Sequence, residues 1–292
     1  MELEEIVKAG IGINASDIHF IPGSDKAGVF FRQGERLESH CSLDMARHNL
    51  YLQRVKANSG MNISEKRLPQ DGVFRMSGMT IRVSTMKSVN GESLVMRLFD
   101  RRDVGIRQLG MKDDDVSMLL GHLTEGSGIT MIAGETGMGK STTLYGIMNE
   151  LKDMNHKVLS IEDPVERSIE GVVQCQINEA AGLTYERAIF ASLRQDPDFI
   201  CIGEIRNEET ARALVRASLT GHRVISTIHG TGYSNVILRL MDFGIREEHI
   251  SGSVGLVLTQ RLLSQEGRRK LDVRMEFRDK AAKTIQQGEI LL

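Results

Sequence analysis

The sequence predicts an α/β protein with two domains, an α+β domain over residues 1–100 and a domain with a mainly parallel sheet over residues 113–292. With 292 residues, the chain is longer than most single domains. Short strand-like runs separated by turn signals fill the first hundred residues. Beyond residue 112, near-continuous apolar runs alternate with helical stretches, a pattern typical of a parallel sheet covered on both faces.

In the first domain, apolar residues recur at helical spacing from Leu3 to Ile11, which predicts an N-terminal helix. A second helix is expected at 43–57, ended by Ser59-Gly60. Runs rich in β-branched and aromatic residues, bounded by Gly- or Pro-containing turns, indicate strands. These strands are predicted at 17–21, 29–32, 36–39, 73–76, 80–85 and 93–99.

In the second domain, four apolar runs are predicted to be buried strands, and helices are predicted between them. The charged stretch 101–112 shows no clear periodicity and is predicted to be the linker between the domains. The predicted strands are 129–133, 158–161, 199–202 and 224–227, and the predicted helices are 141–154, 184–195 and 208–219.

The composition excludes several classes of function. Apolar residues make up 40% and charged residues 26%, as in soluble globular proteins. A net charge of −2, 4% aromatic residues and no Trp argue against direct nucleic-acid binding. The sequence has no apolar run of about 18 residues and no signal-peptide core at its N-terminus. The three cysteines are too scattered for disulfides or a zinc knuckle, so we expect a cytoplasmic protein in which Cys201 is a buried thiol.

Residues 134–141, Gly-Glu-Thr-Gly-Met-Gly-Lys-Ser, fit the GxxxxGK[ST] pattern of a phosphate-binding P-loop, with ATP and Mg²⁺ as cofactors. A predicted strand precedes the loop and a predicted helix follows it, as the pattern requires. Lys140 is expected to reach the β- and γ-phosphates, Ser141 to ligate Mg²⁺, and Thr142 to contact the α-phosphate. The alternative is a glycine-rich turn with a surface lysine. The predicted nucleotide-binding residues are Gly134, Glu135, Thr136, Gly137, Met138, Gly139, Lys140, Ser141 and Thr142.

Acidic residues follow two predicted strands. Glu162, Asp163 and Glu166 come after strand 158–161, at the ligand-facing edge of a parallel sheet, where they can hold a water molecule or a metal. Glu204 comes after strand 199–202 in the position of a Walker B acid, with Gly203 where Asp is usual, and is expected to contact Mg²⁺ through water. The alternatives are a solvated acidic turn for the first group and a helix-starting glutamate for Glu204.

Two histidines remain ambiguous from the residues alone. His222 follows a predicted helix, and His229 follows the strand 224–227. A histidine at the C-terminal end of a strand can sense a γ-phosphate or bridge to a neighbour, but a single histidine is often structural. Both interpretations stay open at this point.

Several motifs resemble the secretion and type IV pilus traffic ATPases. They are GETGMGKSTT, IEDPVE, SLRQDPDFICIGEIRNEETA and TGHRVISTIH, together with ASDIH at residue 15, PQDG at residue 69 and QRL at residue 260. The match covers about residues 14–263. The resemblance implies a PAS-like N-terminal domain joined to a RecA-like ATPase domain, a homohexamer, and ATP bound between the two domains.

The resemblance also implies roles for acids and histidines. Glu162 and Glu166 fall in the Asp box of the family, Glu204 in its atypical Walker B motif, and His222 and His229 in its His box. Glu162 is the favoured residue for polarising the attacking water, and Glu166 is the reserve.

Two arginines of the first domain, Arg82 and Arg97, match family arginines that reach the phosphates. The turn Asn90-Gly91 would pair the strands that carry them. A guanidinium can neutralise charge in the transition state and couple domain closure to the nucleotide. The alternative is two surface arginines on adjacent strands. Asp17 and His19 are expected to be interface or fold residues.

Departures from the family pattern indicate a subtype. The chain lacks a tetracysteine zinc insertion, so no zinc is expected, and it lacks the AIRNLIRE segment of retraction members. The ASDIH motif begins too early for an additional N-terminal domain. These features resemble the competence (ComG-type) ATPases of Gram-positive bacteria. Asn207 stands where Asp is usual, and Gly230 departs from the usual Thr-Asn sequence after the His box.

The resemblance therefore implies a cytoplasmic, homohexameric ATPase at the inner face of the membrane. It would act on a polytopic inner-membrane platform protein to assemble a competence pseudopilus for DNA uptake, without touching DNA itself. The alternatives are a pilus retraction motor of the same family, a RecA-like DNA motor, and a nucleotide-gated scaffold that does not hydrolyse ATP.

Overall fold

The computed structural model describes residues 2–34, 36–98, 105–265 and 268–278, with all side chains except those of residues 180 and 264–270. The chain divides into two units, Met1–Arg102 and Asp103–Leu292. Within the residues described, no helix has the length and apolar character that crossing a membrane requires.

The first unit contains a six-stranded sheet in which every pair of neighbouring strands is antiparallel. The strand order is β3-β2-β1-β6-β5-β4. Its elements in chain order are α1 (Leu3–Gly12), β1 (Asp17–Pro22), β2 (Lys26–Gln33), β3 (Arg36–Asp44), α2 (Met45–Asn58), β4 (Gln70–Met76), β5 (Met79–Ser88) and β6 (Gly91–Leu98).

The predicted start of the second helix is wrong by two residues. Leu43 and Asp44 end β3, and the Asp44 side chain then caps α2 by accepting a hydrogen bond of 2.7 Å from the amide of Arg47. An aspartate at this position supplies an acceptor for an amide that has no partner within the helix. The helix therefore begins after Asp44.

The second unit contains a seven-stranded sheet in the order β13-β12-β7-β11-β10-β8-β9. All neighbouring strands are parallel except β12 and β13. The mainly parallel sheet predicted for this part of the chain is confirmed. Its strands are β7 (Ile129–Ala133), β8 (Val158–Glu162), β9 (Val173–Gln176), β10 (Phe199–Ile202), β11 (Arg223–Ile228), β12 (Val254–Gln265) and β13 (Arg268–Phe277).

Helices flank this sheet, and the predicted helix 184–195 is split. Its α-helical part ends at Ser192 and a short 3-10 helix follows, ended by Asp196 in the left-handed conformation at φ 50°. The α-helices are α3 (Asp113–Glu125), α4 (Lys140–Asp153), α5 (Tyr185–Ser192), α6 (Glu208–Leu219), α7 (Tyr233–Asp242) and α8 (Glu247–Ser253), and the 3-10 helices are Ile106–Leu109, Glu179–Ala181 and Leu193–Gln195.

The predicted linker 101–112 is wrong at its C-terminal end. Ile106, Leu109 and Met111 are buried in the core of the second unit. A Cβ on Gly146 of α4 would lie 3.1 Å from the amide nitrogen of Ile106, so the two segments pack closely. Residues 101–104 of the predicted linker lie outside the described residues.

The central strands of the second unit are buried on both faces. Ile132 and Cys201 belong to one apolar cluster, while Met131 and Ile200, which point the other way, belong to a second cluster. Burial on both faces explains why these strands are continuous apolar runs in the sequence. Cys201 is fully buried, which confirms the expected buried thiol.

Candidate functional site

The P-loop connects β7 to α4 and surrounds the ammonium group of Lys140. Lys140 Nζ donates hydrogen bonds to the carbonyl oxygens of Gly134, at 2.8 Å, and Glu135, at 2.9 Å. The side chain is almost completely buried, and this burial lowers the pKa of Lys140, while nearby Glu204 acts in the opposite direction. The loop is therefore folded around a cation.

Two glycines give the loop its shape. Gly137 has φ 79° and Gly139 has φ 78°, a region that other residues rarely adopt. Ser141 and Thr142 follow in the first turn of the 14-residue helix α4. A helix N-terminus with free amides and a buried lysine is a suitable site for phosphate groups. The residues present therefore fit a nucleoside triphosphate.

Strand β12 supports the P-loop from the side. Gln260 is 1% exposed and its Nε2 donates a 2.5 Å hydrogen bond to the carbonyl oxygen of Met138. The amide of Leu262 lies 3.3 Å from Met138 Sδ. A Cβ on Gly134 would lie 2.7 Å from the carbonyl oxygen of Gln260, which explains the glycine there. Sequence analysis missed this role of Gln260, and the one signal for it is a polar residue within a mostly apolar strand.

Glu204 and His229 are brought together at the C-terminal ends of β10 and β11. His229 Nε2 lies 2.6 Å from Glu204 Oε1, and Arg206 Nε lies 2.8 Å from Glu204 Oε2. Thr227 also donates a 2.5 Å hydrogen bond to the carbonyl oxygen of Gly203, which joins the two strand ends. Both carboxylate oxygens of Glu204 therefore have a cationic or histidine partner.

Glu162, at the end of β8, is 3% exposed and hydrogen-bonded on both oxygens. Ser160 Oγ donates to Oε1 at 2.5 Å, Gln174 Nε2 donates to Oε1 at 3.2 Å, and Tyr145 donates to Oε2. Burial raises the pKa of Glu162, and these donors oppose the shift. The three donors fix the orientation of the Glu162 carboxylate, and its role in polarising water stays a prediction.

Glu166 lies in the loop that follows β8 and is only half-buried. Its amide donates a 3.0 Å hydrogen bond to Tyr145 Oη. Asp163, in the same loop, is half-exposed and lies 3.9 Å from Arg206 Nη1. The reserve acid of the sequence analysis is thus better placed to meet solvent than the favoured one.

His222 and His229 lie at opposite ends of strand β11. His222 precedes β11, whereas His229 follows that strand. Six residues of extended chain separate the two by about 20 Å. His222 is near Thr220, with its Nδ1 3.2 Å from Thr220 Oγ1. The structure therefore does not bring His222 to the P-loop of this chain.

In the first unit, Arg82 and Arg97 are direct partners across β5 and β6, which confirms the pairing expected from Asn90-Gly91. Both side chains are exposed. Arg97 Nε lies 2.8 Å from Oδ1 of Asp17, whose side chain is 5% exposed. Asp17 is therefore a structural partner of Arg97. The action of the two arginines on phosphates stays a prediction.

Comparison with known proteins gives consistent matches over most of the chain. A family model described as type II/IV secretion system protein matches residues 2–288. Type II secretion system protein E of Pseudomonas aeruginosa is 39% identical over 267 residues, which cover 89% of this chain and 53% of that protein. Type IV pilus assembly ATPase PilB of Thermus thermophilus is 38% identical over 267 residues, covering 89% of this chain and 30% of that protein. The chain spans about half the length of the type II secretion relatives it matches.

Solved structures show a similar fold. The Legionella pneumophila ATPase DotB has a TM-score of 0.75 at 25% identity, covering 95% of this chain and 81% of that one. The pilus retraction motor PilT with bound ADP has a TM-score of 0.76 at 24% identity, covering 96% and 84%. These similarities confirm the predicted α/β fold class.

Proposed function

The chain belongs to the type II/IV secretion system protein family, and on this premise we propose that it hydrolyses ATP with Mg²⁺ to drive a secretion or pilus machine. One observation carries the proposal. Strands β7, β11 and β10 are parallel neighbours in the sheet. The P-loop, His229 and Glu204 follow the C-terminal ends of these strands, so they lie on the same side of the sheet. This side combines a phosphate site with an oriented acid, which is what hydrolysis needs in addition to binding.

Each residue has a role in this mechanism. Lys140 would exchange the carbonyl oxygens of Gly134 and Glu135 for phosphate oxygens. Ser141 and Glu204 would hold Mg²⁺, and His229 keeps the Glu204 carboxylate in place. The metal would supply positive charge to neutralise the transferred phosphoryl group.

We propose that an acid at the end of β8 or in the loop after it polarises the attacking water, with Glu162 favoured and Glu166 as the reserve. Glu162 ends β8 and its oxygens accept from Ser160, Gln174 and Tyr145. Glutamine at either position removes the charge and keeps the shape, so the two variants separate the candidates.

The biological setting is a finer part of the proposal. We propose a homohexamer in the cytoplasm, peripheral at the inner face of the membrane, that acts on a polytopic platform protein. Within the family, assembly of a competence pseudopilus for DNA uptake is supported by the lack of a tetracysteine insertion and of an AIRNLIRE segment in the sequence. The net charge of −2 and the scarcity of aromatic residues favour this role over that of a DNA motor.

The test is phosphate release by the purified chain, measured with Mg²⁺, with EDTA, and with added DNA. We expect turnover that requires Mg²⁺, rises with protein concentration as rings form, and does not respond to DNA. Lys140→Ala should abolish turnover and weaken ATP binding, because the cation that contacts the phosphates is removed. Lys152→Ala, in the last turn of the same helix, is the matched control and should keep wild-type turnover. Wild-type turnover in Lys140→Ala would refute the site, and strong stimulation by DNA would favour the DNA motor.

A further inference from the structure

The segment that carries Glu204 lies just beyond the last residue of β10 and is bound by both neighbouring strands. The amide of Gly203 donates a 2.8 Å hydrogen bond to the carbonyl oxygen of Ile161 in β8. The amide of Ile205 donates a 3.0 Å hydrogen bond to the carbonyl oxygen of Thr227 in β11. These three residues of the segment form neither helix nor strand, so their peptide groups depend on contacts of this kind.

Thr227 makes a second contact with the segment, through its side chain. Its hydroxyl donates a 2.5 Å hydrogen bond to the carbonyl oxygen of Gly203. One residue of β11 therefore binds the carbonyl group that precedes Glu204 and the amide group that follows it. Thr227 is 3% exposed, and a β-branched side chain has few rotamers open to it, so the hydroxyl is held in this direction.

The position of Thr227 in the sheet relates the segment to the strand that leads into the P-loop. Strand β11 lies between β7 and β10. Thr227 is the register partner of Ile132 in β7, two residues before the P-loop begins at Gly134. On the other side, Ser226 is the register partner of Ile202, the last residue of β10. The contacts of Thr227 therefore fix the course of the chain after β10 relative to β7.

Thr227 and His229 bind different parts of the same acid. His229 Nε2 lies 2.6 Å from Glu204 Oε1 and orients the carboxylate. Thr227 binds the peptide groups on either side of Glu204 and fixes its main chain. Because a side chain is placed only as well as the backbone that carries it, both contacts are needed to hold the carboxylate in one position.

We propose that Thr227 is a positioning residue for Glu204, and that its hydroxyl supports hydrolysis by holding the carbonyl group of Gly203. The kinetic part of this inference rests on the proposed ATP hydrolysis. A small displacement of a reacting group lowers the turnover number strongly, while substrate contacts elsewhere are unaffected. A hydroxyl that only joined the two strands would change stability and leave the kcat of the folded protein as it is.

The first test is Thr227→Val, which keeps the shape of the side chain and removes the hydroxyl. We expect kcat for ATP to fall by about 10–100-fold, while KM changes by less than about threefold because Lys140 and Ser141 are untouched. Thr227→Ser keeps a hydroxyl and should stay within about threefold of the wild-type kcat. The matched control is Thr130→Val in β7, a threonine of the same sheet that is also 3% exposed. Its kcat should stay within about twofold of wild type.

The second test does not depend on activity. Hydrogen exchange of the Ile205 amide, measured without nucleotide, should become about fivefold faster in Thr227→Val, because opening of the segment no longer breaks a hydrogen bond worth about 1 kcal/mol. Thr227→Ser and Thr130→Val should exchange at the wild-type rate. If Thr227→Val does not fold, Thr227→Ala and Thr227→Ser carry both tests, because these two variants differ only in the hydroxyl.

The outcomes separate this inference from the proposed function. If the wild-type chain hydrolyses no ATP, the proposed function fails, and the exchange measurement still decides whether Thr227 positions the segment. Wild-type exchange in the folded variants that lack the hydroxyl would overturn the inference. So would faster exchange with an unchanged kcat in an active protein, an equal loss of kcat in Thr130→Val, or a loss of kcat in Thr227→Ser as large as that in Thr227→Val.

Discussion

Glu204 and His229 meet across two neighbouring parallel strands, with His229 Nε2 2.6 Å from Glu204 Oε1. This contact fixes one carboxylate oxygen, and Arg206 fixes the other. The carboxylate is therefore oriented by two side chains of the protein. An acid that contacts Mg²⁺ through water depends on such orientation.

We predict that His229→Gln lowers ATP turnover by about tenfold or more while nucleotide affinity changes little, because the lost contact orients Glu204 and does not touch phosphates directly. Phosphate release and binding of a fluorescent nucleotide would measure the two effects. His249→Gln, in α8, controls for the loss of an imidazole elsewhere in the same unit. A loss of affinity that matches the loss of turnover would show that His229 binds the nucleotide instead.

Glu162→Gln and Glu166→Gln should both bind ATP with near wild-type affinity, and the variant that neutralises the group orienting the attacking water, expected to be Glu162→Gln, should lose about 10²-fold or more in turnover. Glu170→Gln, on an exposed residue of the same loop, is the control. Rapid-quench measurement of a single turnover would isolate the chemical step. Normal single-turnover kinetics in Glu162→Gln would assign the role to another acid.

The stability of the second unit should depend on pH through Glu162. Burial raises the pKa of Glu162 above its ordinary value of 4.5, so the folded state keeps a proton that the unfolded state releases. As pH rises from 4.5 through the raised folded pKa, the free energy of unfolding must therefore fall. Glu162→Gln has no such proton and should show a weaker decline, measured by urea unfolding at several pH values. Parallel curves for the two proteins would contradict this prediction.

Gln260→Ala should weaken nucleotide binding by about fivefold, because the carbonyl of Met138 loses a buried hydrogen bond worth about 1 kcal/mol and the P-loop is less well fixed. Gln70→Ala, in the first unit, is the control for a glutamine that bonds to a loop. Isothermal titration calorimetry with a nucleoside triphosphate would measure the affinity. An unchanged dissociation constant would mean that the glycines alone shape the loop.

Features formed by residues that are adjacent in the sequence could be predicted from the sequence. The strand 129–133, the phosphate loop and the helix after it occupy adjacent residues, so one motif and two periodicities predicted them. Tyr145 and Gln260 could not be found this way, because each acts on a loop that is distant in sequence and meets it only after the sheet has formed. Motif reading also grouped Glu162 with Glu166, although their surroundings differ: one side chain points into the core, and the other is half-buried in a loop.

His222 shows a related limit. The family motif groups His222 with His229, and the two are close in sequence. Strand β11 lies between them, so they are at its opposite ends. The motif alone does not show that an extended strand separates the two side chains. The strands β12 and β13 are absent from the sequence prediction, although β12 contacts the P-loop through Gln260.

The contacts of Lys140 have a consequence for repeated use of the site. Its ammonium group donates hydrogen bonds to the carbonyl oxygens of Gly134 and Glu135. The cost of burying this charge when the chain folds is therefore offset by two acceptors of the loop itself. Arrival and departure of a phosphate would then exchange one set of oxygen ligands for another around the same cation.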